Sequence, residues 1–255
     1  MGVIRTFLST AVLGGTGSLA GFAFWTRHAK FVPLSPTDAI FNSPAYLRNN
    51  PNKNPASQDL CVRRVPLSKI KPHLLEKEAE GKLTEAFCQG LWSGLEEENE
   101  KRMERKNKRQ DIHRWLIPNA HKTGYAYQRH YLEKKYRNTT TTAHQLWERQ
   151  ELATSTYEPG TQITDHFEVV SKTPESIVVR CGGSPLEQGV RASDGLFEMG
   201  VQIKKDEGVA EFRLKSVFYT GLGKAEAGPM PLHVLFAHKL YTKLWMETAV
   251  GNVMM

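Results

Sequence analysis

Residues 194–219 read DGLFEMGVQIKKDEGVAEFRLKSVFY. Phe197, Met199, Val201 and Ile203 alternate with Glu198 and Gln202. After Lys204-Lys205-Asp206-Glu207-Gly208, Ala210, Phe212, Leu214, Ser216 and Phe218 alternate with Glu211, Arg213 and Lys215. Successive strand residues point to opposite faces, so each run is a strand with one apolar face. The charged connection ends in a glycine suited to positive φ, which makes the pair a hairpin. Apolar residues on one side and a −, +, + row on the other predict an antiparallel sheet covered on one face.

Two more strands precede the pair. Ile163 to Val170 sets Ile163, Asp165, Phe167 and Val169 on one face, and Ile177, Val179 and Cys181 alternate with Val178 and Arg180. Gly182-Gly183-Ser184-Pro185 reads as a turn. Beyond Gly221, Gly223, Gly228 and Pro229 the period changes. Residues 231–250 carry Leu232, Leu235, Phe236, Leu240, Leu244 and Trp245 at helical intervals, widened by Val234, His238, Tyr241 and Ala249. A long amphipathic helix with a broad stripe is expected to lie across the concave side of the sheet.

The amino-terminal half is organised differently. Residues 7–25, FLSTAVLGGTGSLAGFAFW, contain no charge over 19 positions, which as a helix span roughly 28 Å, about one hydrocarbon thickness. Arg5 precedes the run, Arg27, His28 and Lys30 follow it, and Trp25 stands where an interfacial aromatic would. Gly17 and Gly21 give a small-xxx-small face. A single-pass anchor is the leading reading, with a cleaved targeting sequence as the rival. Leu13-Gly14-Gly15-Thr16-Gly17 resembles a dinucleotide turn, but Pro33 and Pro36 stand where that motif needs a second strand. Residues 31–57 hold Pro33, Pro36, Pro44, Pro51 and Pro55 with Asn49, Asn50, Asn52 and Asn54, and read as an extended linker. Leu60, Val62 and Val65 make a short strand ended by Pro66, and a helical region from Pro72 carries Leu74, Leu75, Leu83, Phe87, Leu91 and Trp92. Residues 96–122 carry 6 acidic and 8 basic side chains and read as a solvated insertion with pairs such as Glu97–Lys101 and Glu98–Arg102. The expected organisation is therefore an apolar segment at 1–30, a linker at 31–57 and an α+β domain at 58–255.

Composition narrows the functions. Of 34 Lys+Arg and 27 Asp+Glu, residues 1–149 hold 24 basic against 14 acidic, and residues 150–255 hold 10 against 13. Basic charge beside an apolar amino terminus suits anionic lipid, and no zinc-finger spacing or RNP-like stretch argues for nucleic acid. Cys61, Cys88 and Cys181 are widely spaced and form no CxxC, so neither a disulfide scaffold nor a zinc ribbon is expected. No HExxH, GxSxG or P-loop occurs. His166 and Asp165, as strand neighbours, point apart. His233 and His238 are five apart, which does not suit a shared metal. Asp194 and Glu198, four apart on a strand, stand roughly 13 Å from each other, too far to act on one bond. No catalytic residue, metal or cofactor is assigned.

The pieces DHFEVV, ESIVVRC, DGLFEMGVQI, AEFRLKSVFY and HVLFAHKLYTKLWMETAV, in this order from about Asp59 to the end, resemble the START/Bet v1-like (SRPBCC) superfamily. The whole chain also resembles small filamentous-fungal proteins with an apolar amino-terminal segment. The resemblance implies a helix-grip fold, a curved antiparallel sheet gripping a long C-terminal helix, with an internal apolar cavity for lipids, sterols or polyketides. It carries over no catalytic residue.

In that frame the cavity positions are Phe167, Val179, Phe197, Met199, Phe212, Leu214 and Phe218 on the sheet, answered by His238, Tyr241 and Trp245 from the helix. The expected function is a membrane-tethered domain, single-pass through residues 7–25, that binds an apolar small molecule or lipid. Mitochondrion and endoplasmic reticulum both fit. Alternatives are a cyclase or isomerase using His166, Arg180 or His238, and an assembly protein of an organellar membrane using the charged run as a docking arm; the protein partner is left open.

Overall fold

The computed structural model describes residues 20–94, 120–138 and 140–255. Residues 7–19 of the apolar segment, the glycine turn at 13–17 and most of the charged run 96–122, with its Glu97–Lys101 and Glu98–Arg102 pairs, lie outside them. Residues 20–25 are helical. No helix among the described residues is long and apolar enough to cross a membrane.

The fold is α+β. Seven strands form one antiparallel sheet: β1 (Lys30–Val32), β2 (Ser57–Pro66), β3 (Gln162–Ile163), β4 (Phe167–Thr173), β5 (Ser176–Cys181), β6 (Asp194–Lys204) and β7 (Val209–Tyr219). Their order is β1-β2-β7-β6-β5-β4-β3. The helices are α1 (Pro44–Asn49), α2 (Pro72–Glu76), α3 (Lys82–Ser93), α4 (Ala120–Tyr136), α5 (Arg149–Thr154) and α6 (Leu232–Val253).

The β6–β7 hairpin follows the sequence alternation. Phe197 stands opposite Ser216, Met199 opposite Leu214 and Val201 opposite Phe212, all on the inner face. Gly208 closes the connection at φ 64°. Strand β2 is longer than Leu60, Val62 and Val65 suggested: it pairs along ten residues with β7. Its inward positions include Asp59 and Arg63 as well as Cys61 and Val65, so charge interrupts the apolar alternation that marks a strand. Asp165 and His166 are not strand neighbours. Thr164 and Asp165 take positive φ (50° and 52°) in a turn between β3 and β4. There Asp165 accepts from Ser184 Oγ at 2.6 Å and Gln145 Nε2 at 3.3 Å.

The inner face is shared by two helices. From α3, Phe87, Cys88, Leu91 and Trp92 are buried over the sheet. Phe87 meets Phe212 at 5.0 Å between rings. Only the carboxyl half of α6 is buried beside it, through Trp245, Met246, Ala249, Val250 and Val253. Leu232, Phe236 and Leu240, read from sequence as part of the packed stripe, are exposed. α3 occupies the space that one long helix was expected to fill. The two helices touch at Gly90, where an added Cβ would stand 2.4 Å from Asn252 Cβ. Asn252 Nδ2 donates to the Ala86 carbonyl there at 2.9 Å.

The outer face is covered too. Residues 31–57 are folded, not extended. After β1, Asp38 caps a 3₁₀ turn at Ala39–Asn42. Ser43 caps α1 by accepting from the Tyr46 amide, and Pro44 fills the first helical position, where its missing N–H is harmless. Leu34, Ile40, Phe41 and Tyr46 pack on Leu196, Val217 and Tyr219. The asparagines are clips. Asn50 bonds the backbone N–H and C=O of Asn54, and Asn54 Nδ2 donates to Thr220 O at 2.6 Å and Gly223 O at 2.9 Å. Each satisfies backbone groups that would otherwise be orphaned away from water. The charged row of β7 is accordingly almost out of solvent, with Lys215 held by Asp38 at 2.7 Å and Glu198 at 2.8 Å.

Candidate functional site

The structure gathers the sheet residues proposed from sequence on one face. Phe167, Val179, Phe197, Met199, Phe212 and Leu214 are buried in a single apolar cluster, with Phe218 partly buried against it. Trp92 of α3 stands in their midst. Its ring lies 4.7 Å from Phe167, 4.8 Å from Tyr125, 5.6 Å from Trp245 and 6.5 Å from Phe197. Trp245 meets Phe197 at 5.4 Å and Tyr241 at 4.6 Å. Rings at these separations are in van der Waals contact, and this part of the sheet–helix space is filled by protein. No sequence motif announces Trp92 as the filler, because its helix reads as an ordinary amphipathic one.

His238 lies nearer the exposed half of α6. Its Nε2 stands 3.2 Å from Asp59 Oδ2, 3.2 Å from Ser216 Oγ and 3.3 Å from Thr242 Oγ1, with Phe218 edge-on at 5.2 Å. Serine, histidine and aspartate meet here, but not as a nucleophilic relay. A relay needs the carboxylate on one ring nitrogen and the hydroxyl on the other, whereas all three oxygens crowd one nitrogen. Ser216 is also fully buried. Ser216 and Thr242 fix the ring between α6 and β7, whereas both oxygens of buried Asp59 lack a hydrogen-bond partner and His238 stands at ion-pair distance from one of them. His166 is set apart, against Phe167 at 4.7 Å, and burial followed by Arg191 holds its pKa below the usual histidine value.

Arg180 faces outward, away from the inner-face residues. It grips buried Asp194 in a two-point ion pair, Nε to Oδ1 at 3.0 Å and Nη2 to Oδ2 at 2.6 Å, and donates to Gly189 O at 2.7 Å. Together with α1 it frames a groove of about 510 Å³ between residues 39–49 and the outer face of β4, β5 and β6. Ile40, Ala45, Val170 and Val178 give apolar lining, and Arg48, Glu168, Arg180 and Glu198 supply charge. Val170 lies where β4 shifts register between Val169 and Ser171, a bulge that re-aims the strand at the groove. Arg180 and Glu198 are spent on Asp194 and Lys215. Arg48 is exposed and has no ion pair among the described residues. A volume of this size, mostly apolar with a few placed polar groups, is what a small-molecule site requires. The signal for it in the sequence was the Asp38 and Ser43-Pro44 start chemistry, which marks short helical turns inside a proline-rich stretch.

Asp194 and Glu198, expected on one face, are both on this one, each in its own ion pair. His233 is exposed, and no group of three or more His, Cys, Asp or Glu among the described residues could hold a metal ion. The three cysteines are buried, and burial pushes the thiols of Cys61 and Cys181 up to about 12, which leaves them unreactive. Comparison with protein families, with curated proteins and with solved structures finds no match to this chain.

Proposed function

We propose that the chain is a helix-grip protein that binds a small amphipathic molecule or lipid, and that residues 7–25 hold it at a membrane. Support for the scaffold is the topology. The first long strand, β2, lies beside the last, β7, and a carboxyl-terminal helix packs on one face of the antiparallel sheet. Support for binding is the outer-face groove, the single observation that carries the reading. An apolar body would lie on Ile40, Ala45, Val170 and Val178, with an anionic or acceptor head toward Arg48. Arg180, fixed by Asp194, acts as a rigid wall. Of the residues named for the cyclase or isomerase alternative, His238 lies on the opposite face of the sheet from the groove, and Arg180, which lines the groove, is tied to Asp194.

Native mass spectrometry of the purified full chain tests this. The wild type is expected to carry an apolar adduct, and Ala45→Trp, which plugs the groove from its wall, is expected to lose it with an unchanged thermal melt. An adduct that persists in Ala45→Trp and disappears in Trp245→Phe would move the site to the inner face and overturn the groove.

A further inference from the structure

One side of the first turns of α6 is apolar and uncovered, while Leu235, His238 and Tyr241 on the other side are half-buried. Leu232 is 86% exposed and Phe236 65%, with Val234 and Leu240 also open to solvent, although the same helix is buried from Trp245 onward. At positions 232, 236 and 240 these side chains share one helical stripe. Isolated exposed leucines need no explanation, but a continuous stripe along one side of a packed helix does.

The exposed charge that the neighbouring segments contribute is of one sign, the nearby carboxylates of Asp59 and Glu247 being buried. No Asp or Glu occurs in residues 1–37 or 227–246. Those segments carry Arg27, Lys30, Lys239 and Lys243. They meet on one flank. Lys239 Nζ lies 5.5 Å from the ring centroid of Phe31 in β1, and Arg27 and Lys243 both act on the buried carboxyl of Glu247. Phe24 and Val32 are exposed in the segment that enters β1, and the uncharged run 7–19 leads directly into it. Exposed apolar side chains flanked by lysine and arginine, with the nearby carboxylates buried, match an anionic bilayer surface: the apolar groups enter the headgroup boundary and the cations meet lipid phosphates.

We infer that the amino half of α6 is a second membrane contact, laying Leu232, Phe236 and Leu240 into an anionic lipid surface with Lys239 and Lys243 on its headgroups. The inference rests on the tether at residues 7–25 proposed above. That tether would bring α6 to the bilayer, and α6 would then fix the orientation of the domain on it.

The test uses the full chain with an environment-sensitive fluorophore at Phe236→Cys, and a control fluorophore at exposed Ala143→Cys, beside the far sheet edge. The native cysteines are buried and do not compete for label. With vesicles of phosphatidylcholine and phosphatidylserine, the probe at 236 is expected to shift to an apolar emission and to be quenched by lipid-borne spin label, while the probe at 143 stays aqueous. Lys239→Gln with Lys243→Gln is expected to lower the ratio of lipid-exposed to aqueous probe at 236 by about fivefold per charge removed. A chain that sediments with vesicles while the probe at 236 stays aqueous overturns the inference and leaves the tether standing. A chain that stays in the supernatant overturns both. A probe at 236 that is shielded before vesicles are added assigns the stripe to residues 1–19 or to a second copy, and overturns the inference as well.

Discussion

Glu247 sits on the inner side of α6 with Oε2 3.2 Å from Arg63 Nε, both side chains largely out of water. Burial raises the carboxyl to about 7, against the pull of Arg63, Arg27 and Lys243, and burial lowers Arg63 from its ordinary value. An acid whose folded pKa exceeds its unfolded one binds more protons in the native state. Its contribution is fully present below about pH 4.5 and is lost as pH rises through about 7. The loss amounts to at most about 3 kcal/mol. Glu247→Gln is therefore expected to flatten the fall of stability between pH 5 and pH 8 in denaturant titrations, and a wild type that gains stability relative to this variant over that window would contradict the assignment. At this scale the sequence is hardest to read. Asp59 and Arg63 face the helices because each finds a partner there, His238 or Glu247, and a partner on another element leaves no trace in the local pattern.

Among the elements, β6 and β7 were legible almost residue for residue, because period-two alternation is unmistakable when both strands are long. The existence of α6 was legible, but its packing was not: one helix can carry two apolar faces, and hydrophobicity does not say which is covered. The amino half keeps Leu232, Phe236 and Leu240 outside while Trp245 to Val253 reach the core. The role of α3 was invisible because it depends on contact with α6 through Gly90. Alanine favours a helix interior over glycine by about 1 kcal/mol. At Gly90 its Cβ would stand 2.4 Å from Asn252 Cβ and 2.9 Å from the Ala249 carbonyl. Gly90→Ala is thus expected to destabilise the fold by about 1–3 kcal/mol, read as a lower denaturation midpoint. A neutral or stabilised variant would mean that α3 and α6 do not pack this closely.

For the molecule as a whole, the sheet is a middle layer, with α3 and α6 on one side and residues 34–49 on the other. The inner-face residues named from sequence do share one face, and the outer groove went unforeseen because prolines and asparagines read equally as tether or as turn. Only long-range partners decide between the two: Lys215 for Asp38, Thr220 and Gly223 for Asn54. The covered outer face is what makes a groove beside Arg48 and Arg180, and so it bears on binding as much as on stability. Hydrogen exchange of the full chain, read at peptides spanning residues 34–54, examines it most directly. Protection at the amides of Leu47, Asn50 and Asn54, each bonded to a neighbour in this layer, is the expected result, deepening when the bound molecule is present. Exchange across 34–54 at the rate of an unfolded chain would contradict the two-sided sheet and remove the groove with it.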